Sequence, residues 1–194
     1  DPRGHARSDS PSGEDQYTQE IFAEDLKGLL DHLGIQQAYV GGLSMGAGIA
    51  TRFTILHPQR VAALLIIDSF SSSGLETPPE NRRMREEIIR LAETEGMESV
   101  AEYSIQNNPN IRHTAALGKE QEERIRQMYR DLNPVGYAHS TRMILNATFD
   151  ASLLEGIKAP TLVLAGLRAR YICQMRSSCS FTRAAVRAIL GLFC

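Results

Sequence analysis

The spacing of apolar residues over the first 41 positions changes from helix-like to strand-like. After Thr18, a candidate N-cap, apolar side chains recur at helical spacing and charged side chains occupy the opposite face. The recurring residues are Phe22, Leu26, Leu29, Leu30 and Leu33. Gly34 then stops the helix, and the short apolar run 38–41 predicts a strand.

A second helix and a second strand follow. Residues 45–57 are rich in small and apolar side chains, which is typical of a helix buried against a sheet, and Pro58 ends it. The near-continuous apolar run from Val61 to Ile67, closed by Asp68, predicts a parallel strand buried on both faces. The order helix, strand, turn, helix, strand predicts an α/β fold with a doubly wound, mostly parallel sheet.

The turn between the first strand and the second helix holds a serine between glycines. Residues 42–46 read Gly-Leu-Ser-Met-Gly, the G-x-S-x-G pattern that places a serine on a tight strand-to-helix turn. The serine backbone must be strained for its hydroxyl to project, so the residues two before and two after it need to lack side chains, as Gly42 and Gly46 do. Ser44 is therefore the candidate nucleophile.

After residue 70 the pattern changes to a linker followed by charged amphipathic helices. Ser, Gly and Pro dominate residues 71–79, and we interpret 71–158 as a helical cap over the strand ends, which shapes a substrate pocket and excludes water. The predicted cap helices span 81–95, 97–106, 119–132 and 135–147.

Five larger side chains of these helices have two possible roles. They either line the pocket or pack the cap helices together, and packing is the commoner role of apolar residues at helical spacing. The five are Met84, Met97, Met128, Tyr129 and Met143.

The chain resembles the α/β-hydrolase superfamily, in particular its small enol-lactonases, esterases and carbon–carbon bond hydrolases. Besides the serine turn, residues 1–9 are similar to the family's D-x-R-G-x-G-x-S loop, with Ala6 in place of the second glycine. Further matching segments occur in the family's order at 22–26, 30–34, 57–61 and 159–166. The resemblance implies a partial core over 1–70, the cap over 71–158, a later core strand over 159–166 and a tail unlike the family over 167–194.

The resemblance also implies a serine–histidine–acid mechanism. Ser44 would be the nucleophile and the backbone N–H of Met45 one oxyanion donor. Asp68 is an alternative acid, because some members of the superfamily carry the acid at that strand end; otherwise it accepts hydrogen bonds from nearby backbone N–H groups. None of the five histidines stands in the family's catalytic position after the last strand, and His5 and His139 are the candidate substitutes. The histidines are His5, His32, His57, His113 and His139.

We therefore expect a serine hydrolase for a small carboxylic ester, lactone or activated carbon–carbon bond, nearly inactive as these 194 residues. Two alternatives on the same fold are a non-catalytic small-ligand receptor and a partner-binding remnant. The sequence starts within the D-x-R-G motif, so we expect that an N-terminal piece has been lost.

The tail differs from the rest of the chain in charge. All 23 acidic residues lie within 1–155, where the net charge is −8, whereas residues 156–194 carry +6 and all three cysteines, Cys173, Cys179 and Cys194. Because the resemblance also stops near Gly166, we interpret the tail as an out-of-frame or alternatively spliced terminus. Its segment Thr182 to Phe193 is compatible with a helix that docks on open sheet surface.

Composition narrows the remaining possibilities. The cysteines lack metal-ligand spacing, so we expect no metal, and the reaction needs no cofactor. Scattered arginines do not predict nucleic-acid binding. The longest apolar run, Val61 to Ile67, is too short to span a membrane, and no secretory signal opens the sequence, so we expect a cytoplasmic protein with a small-molecule substrate. No oligomeric state is predicted.

Overall fold

A computed structural model describes residues 1–68, 78–147 and 151–164 of the protein. The chain divides into two compact units. The sheet unit comprises Thr18–Glu76 and Ala147–Cys194, and the helical unit comprises Asp1–Tyr17 and Thr77–Asn146.

The sheet unit contains a parallel sheet in the order β1-β2-β3, as the α/β class requires. Thr18 is the N-cap of the first helix, since its hydroxyl accepts a hydrogen bond from the Ile21 N–H at 3.2 Å. The strands are β1 (Ala38–Leu43), β2 (Val61–Ile67) and β3 (Thr161–Leu164), and the helices are α1 (Gln19–His32) and α2 (Met45–Leu56).

The two faces of this sheet differ in burial. On one face Val40, Leu64 and Ile66 pack with Phe53 of α2 in the core of the unit. The opposite face, which we name the open face, consists of Tyr39, Gly41, Leu43, Ala63, Leu65, Ile67, Leu162 and Leu164. Its residues are half-buried or exposed. The prediction that the strand from Val61 to Ile67 is buried on both faces is therefore wrong for this face, because α2 packs on the other one and α1 packs beside α2.

The helical unit confirms the four helices predicted from apolar spacing and adds one. The additional helix begins at Pro109, between the second and third of the predicted helices, because proline is accepted in the first turn of a helix. The five helices are α3 (Pro79–Thr94), α4 (Met97–Asn107), α5 (Pro109–Ala115), α6 (Lys119–Arg130) and α7 (Pro134–Asn146).

The core of the helical unit decides between the two roles of the larger side chains. Met97 and Tyr129 are buried in this core, and Met84 packs against it. Met143 is buried as well, whereas Met128 is 67% exposed. The packing role is thus confirmed for Met84, Met97 and Tyr129. Met128 faces away from the core.

The first 17 residues belong to the helical unit, although the sequence analysis grouped them with the core segment 1–70. The backbone of Gly4 contacts that of Gly136 on α7 so closely that a Cβ on Gly136 would lie 2.4 Å from the Gly4 Cα. Ala6 adopts φ +46°, a conformation that glycine accepts without strain. This explains in physical terms why the similar family loop has glycine there.

Candidate active site

Ser44 occupies a strained turn between β1 and α2. Its φ of 52° and ψ of −110° lie outside the regions that residues with a Cβ ordinarily adopt. The turn is held to the neighbouring strand, because the Ser44 N–H donates a hydrogen bond to the Ile67 carbonyl at 2.9 Å. The residue is exposed, as a nucleophile that must meet a substrate needs to be.

The two glycines around Ser44 are not equivalent. A Cβ on Gly42 would lie 2.2 Å from the carbonyl carbon of Gly46 and 2.6 Å from the nitrogen of Ala47, closer than any side chain allows. A Cβ on Gly46 would meet no described atom within 4 Å. The steric argument made from the sequence therefore has a contact behind it at Gly42, whereas no described atom enforces it at Gly46.

Met45 begins α2 directly after the serine. Within the described ranges no carbonyl accepts a hydrogen bond from its backbone N–H, whereas the Ser44 carbonyl accepts from the N–H groups of Ala47 at 3.1 Å and Gly48 at 3.2 Å. The first N–H groups of a helix carry partial positive charge and attract anions. The role of Met45 as an oxyanion donor remains a prediction that this geometry accommodates.

Asp68 follows β2 at the same edge of the sheet as Ser44. The pairing of Leu43 with Ile67 makes the two residues neighbours in the sheet order, each one position beyond its strand. Asp68 also has a positive φ, 41°, and its N–H donates to the Leu164 carbonyl at 3.0 Å. Two strained residues at adjoining strand ends mark this edge as the candidate site, since strain concentrates at functional positions.

The sheet unit also contains two histidines, and neither is placed as the base of Ser44. The Nε2 atom of His57 lies 2.8 Å from Oε1 of Glu24, and its ring packs on Phe53. His57 ends α2, so the rise of this 12-residue helix separates it from the serine end by about 18 Å. His32 is an exposed residue in the last turn of α1.

The other three histidines belong to the helical unit. In His5, Nδ1–H donates to the Arg3 carbonyl at 3.1 Å, and in His139, Nε2–H donates to the Ser12 carbonyl at 3.0 Å. The His139 ring packs on Tyr17, and His113 is exposed. The hydrogen bonds of His5 and His139 therefore run to the segment formed by the first 17 residues, and their proposed role as substitute bases remains a prediction.

The helical unit holds one cation that the sequence analysis did not single out. Arg85 on α3 is half-buried, and burial lowers the pKa of its guanidinium. No carboxylate of the described residues pairs with it, and its charge interacts with Tyr137, whose phenol pKa burial raises. Sequence spacing could not distinguish Arg85 from Arg82 and Arg83, because all three belong to one charged stretch.

Across the described ranges, no three His, Cys, Asp or Glu side chains are grouped as a metal site. None of the described helices combines the length and apolarity needed to cross a bilayer.

Comparison with known proteins identifies relatives over most of the chain. A family model described as the alpha/beta hydrolase fold matches residues 1–166. A putative 2-succinyl-6-hydroxy-2,4-cyclohexadiene-1-carboxylate synthase of Bacillus subtilis is 28% identical over 168 residues, which are 84% of this chain and 60% of that protein. This chain therefore spans about three-fifths of the length of the relatives that it matches.

Solved structures of hydrolytic enzymes also match most of this chain. A thermophilic esterase from Thermogutta terrifontis matches with a TM-score of 0.69 and 31% identity over 86% of this chain and 59% of its own. An enol-lactonase from Burkholderia xenovorans LB400 matches with a TM-score of 0.70 and 25% identity, covering 90% and 66%.

Proposed function

The chain belongs to the α/β-hydrolase family, and from this premise we propose that Ser44 is the nucleophile of a serine hydrolase site. The strained backbone of Ser44, exposed between β1 and α2, is the observation that carries the proposal. The substrate we propose is a small carboxylic ester, a lactone or an activated carbon–carbon bond. The names of the relatives support this range, since they include an esterase, an enol-lactonase and a 2-hydroxymuconate semialdehyde hydrolase.

The chemistry assigns one step to each group of the site. The Ser44 Oγ attacks the carbonyl carbon of the substrate, and its proton must pass to a base as the bond forms. The negative charge that develops on the carbonyl oxygen would lie at the start of α2, where the Met45 N–H is the proposed hydrogen-bond donor. Asp68 would orient the base.

The sheet unit supplies no evident base for this mechanism among its described residues. His57 and His32, the histidines of the sheet unit, are placed at helix ends, with His57 paired to Glu24. A serine without its general base retains at most about 10³-fold catalysis over water. We therefore propose that these 194 residues are nearly inactive by themselves.

The surroundings of the site are part of the proposal. We propose that helices α3 to α7 serve as a cap, as the family resemblance implies, and that the protein acts in the cytoplasm on a small molecule. The exposed position of Ser44 supports the need for a covering element, since acyl transfer benefits from the exclusion of water.

The placement of the histidines favours a second candidate function. Without a base, the fold is a non-catalytic small-ligand receptor or a partner-binding remnant. Saturable binding of an ester or lactone without turnover would support the receptor.

Supplying the base from solution tests the role of Ser44. The full chain is incubated with p-nitrophenyl acetate, with and without imidazole, and the peptide containing Ser44 is examined by mass spectrometry. Fragmentation of the peptide separates acetylation of Ser44 from that of the exposed Tyr39. We expect acetylation of the Ser44 hydroxyl only with imidazole, none at position 44 in Ser44→Ala, and normal acetylation of Ser44 in the control Ser8→Ala, whose hydroxyl bonds to the Asp1 carbonyl. The proposal would be refuted if Ser44 of the wild type carried no acetyl group and the wild type and Ser44→Ala were acetylated to the same extent at other residues.

A further inference from the structure

The pairing of β1 with β2 is irregular at one point upstream of the serine turn. Ala38 is opposite Val61, whereas the next residue, Tyr39, is opposite Ala63, so Ala62 has no partner residue in β1. Two residues of one strand against one residue of its neighbour is the arrangement of a β-bulge, which shifts every later pair by one position. The bulge therefore decides which residues face each other along the rest of the two strands.

The shifted register decides which residue neighbours Ser44. With this register Leu43 pairs with Ile67, and the next residues of the two strands are Ser44 and Asp68. The register that precedes the bulge would instead pair Leu43 with Ile66 and place Ser44 opposite Ile67. The bulge is thus what brings the candidate nucleophile beside the candidate acid.

Gly41 is the residue of β1 that makes room for this register. It is paired with Leu65, and a Cβ on Gly41 would lie 2.7 Å from the Leu65 Cβ and 3.0 Å from the Leu65 carbonyl oxygen. The backbone fixes the positions of both Leu65 atoms, so no change of side-chain rotamer relieves the clash. A side chain at position 41 therefore requires β1 to move away from β2 or to change its register.

We propose that Gly41 is a positioning residue for Ser44, an inference that rests on the proposed role of Ser44 as the nucleophile. Gly41 lies outside the serine pattern 42–46, so it acts on the reaction through the placement of β1. A side chain there displaces the strand end and weakens the hydrogen bond from the Ser44 N–H to the Ile67 carbonyl, which holds the strained turn. A displacement on the order of 1 Å at a reacting group can lower its rate about a hundredfold.

Gly41→Ala tests this role, and Gly28→Ala on α1 is the matched control. A Cβ on Gly28 meets no described atom within 4 Å. The rate of imidazole-dependent acetylation of Ser44 by p-nitrophenyl acetate should fall about tenfold in Gly41→Ala and stay within about twofold in Gly28→Ala. Wild-type rates in Gly41→Ala would overturn the proposal. All variants are made in the full chain, whose predicted tail helix, residues 182–193, lies outside the described residues.

A reciprocal substitution separates positioning from a general loss of stability. Leu65→Gly removes the side chain that the new Cβ would meet, although a glycine within a strand is itself destabilising. The double variant Gly41→Ala/Leu65→Gly should nevertheless acetylate Ser44 about fivefold faster than Gly41→Ala, because the two substitutions are coupled through one contact. A double variant as slow as Gly41→Ala, or slower, would overturn the proposal.

Amide hydrogen exchange, measured by NMR, follows the same contact without the reaction. The Ser44 N–H, which lies 2.9 Å from the Ile67 carbonyl oxygen, should exchange about tenfold faster in Gly41→Ala than in the wild type and slow again in the double variant. Absence of Ser44 acetylation in the wild type would refute the proposed function. Unchanged exchange in Gly41→Ala would overturn the role of Gly41 itself, so the two failures are distinguishable.

Discussion

At the scale of single residues, the turn at Ser44 shows which parts of a motif sterics explain. Gly42 is required because its α-carbon lies against the backbone of Gly46, whereas Gly46 itself faces open space among the described atoms. The sequence identifies the turn, since its pattern is local. It could not separate the two glycines, because the clash depends on how α2 leaves the turn.

We expect Gly42→Ala and Gly46→Ala to have opposite effects on stability. A Cβ 2.2 Å from the Gly46 carbonyl carbon forces backbone movement and should cost about 3 kcal/mol. In Gly46→Ala the new Cβ meets no described atom within 4 Å and replaces a poor helix former in the first turn of α2, a gain of up to about 1 kcal/mol. Urea unfolding of both variants measures this, and equal losses would contradict the assignment.

Ala6 provides a second single-residue prediction. Its φ of +46° costs a residue with a Cβ about 1–2 kcal/mol. Glycine would remove this strain, but part of the gain is offset because glycine has more conformational freedom to lose from the unfolded chain. Ala6→Gly should therefore stabilise the protein by about 0.5–1 kcal/mol. Ala116→Gly, in an exposed turn without positive φ, should instead destabilise it. A lower urea midpoint for Ala6→Gly would count against strain at this loop.

At the scale of elements, Arg60 fixes the connection from α1 to β1. Its guanidinium donates to the carbonyls of Gln36 and Ile35, both at 2.7 Å, and to Asp31 at 2.6 Å, and the side chain is only 12% exposed. Arg60→Met leaves both carbonyls without their charged donor and should cost about 2 kcal/mol. Arg7→Met, at a side chain that is 97% exposed, is the control and should have little effect.

The carboxylate of this cluster adds a dependence on pH. Hydrogen bonds from Lys27 and then from Arg60 lower the pKa of Asp31 in the folded protein. At pH values above the pKa of Asp31 in the unfolded chain, about 3.9, the lowered pKa stabilises the fold. This contribution is lost as the pH falls through the pKa of Asp31 in the folded protein. The stability difference between the wild type and Asp31→Asn should thus be present at neutral pH and vanish in acid. A difference that grows in acid would contradict this.

The predicted elements succeed where the information is local. Apolar spacing identifies four of the five helices in 79–146, and the run from Val61 to Ile67 identifies β2. Helix α5 was missed because it is only seven residues long and begins at a proline. The half-open state of β2 was missed because burial depends on which helices pack on the sheet.

At the scale of the whole molecule, the family and the fold follow from the order of the segments, and the catalytic machinery does not. Ser44 and its turn are encoded in five consecutive residues, so they can be recognised without a structure. A base and an acid come from distant segments, and their contact with the serine depends on the assembled chain. The five histidines illustrate this, because only their placement shows that His57 pairs with Glu24.

Labelling with a fluorophosphonate tests the central claim most directly, because this reagent reacts with a serine that a base activates. The full 194-residue chain and Ser44→Ala are treated in parallel, with the esterase from Thermogutta terrifontis as the reactive control. We predict labelling of the esterase but no labelling of this chain above the level of Ser44→Ala, because no histidine of the sheet unit is placed as a base. Rapid labelling that is lost in Ser44→Ala would contradict the account and show that a working base is present.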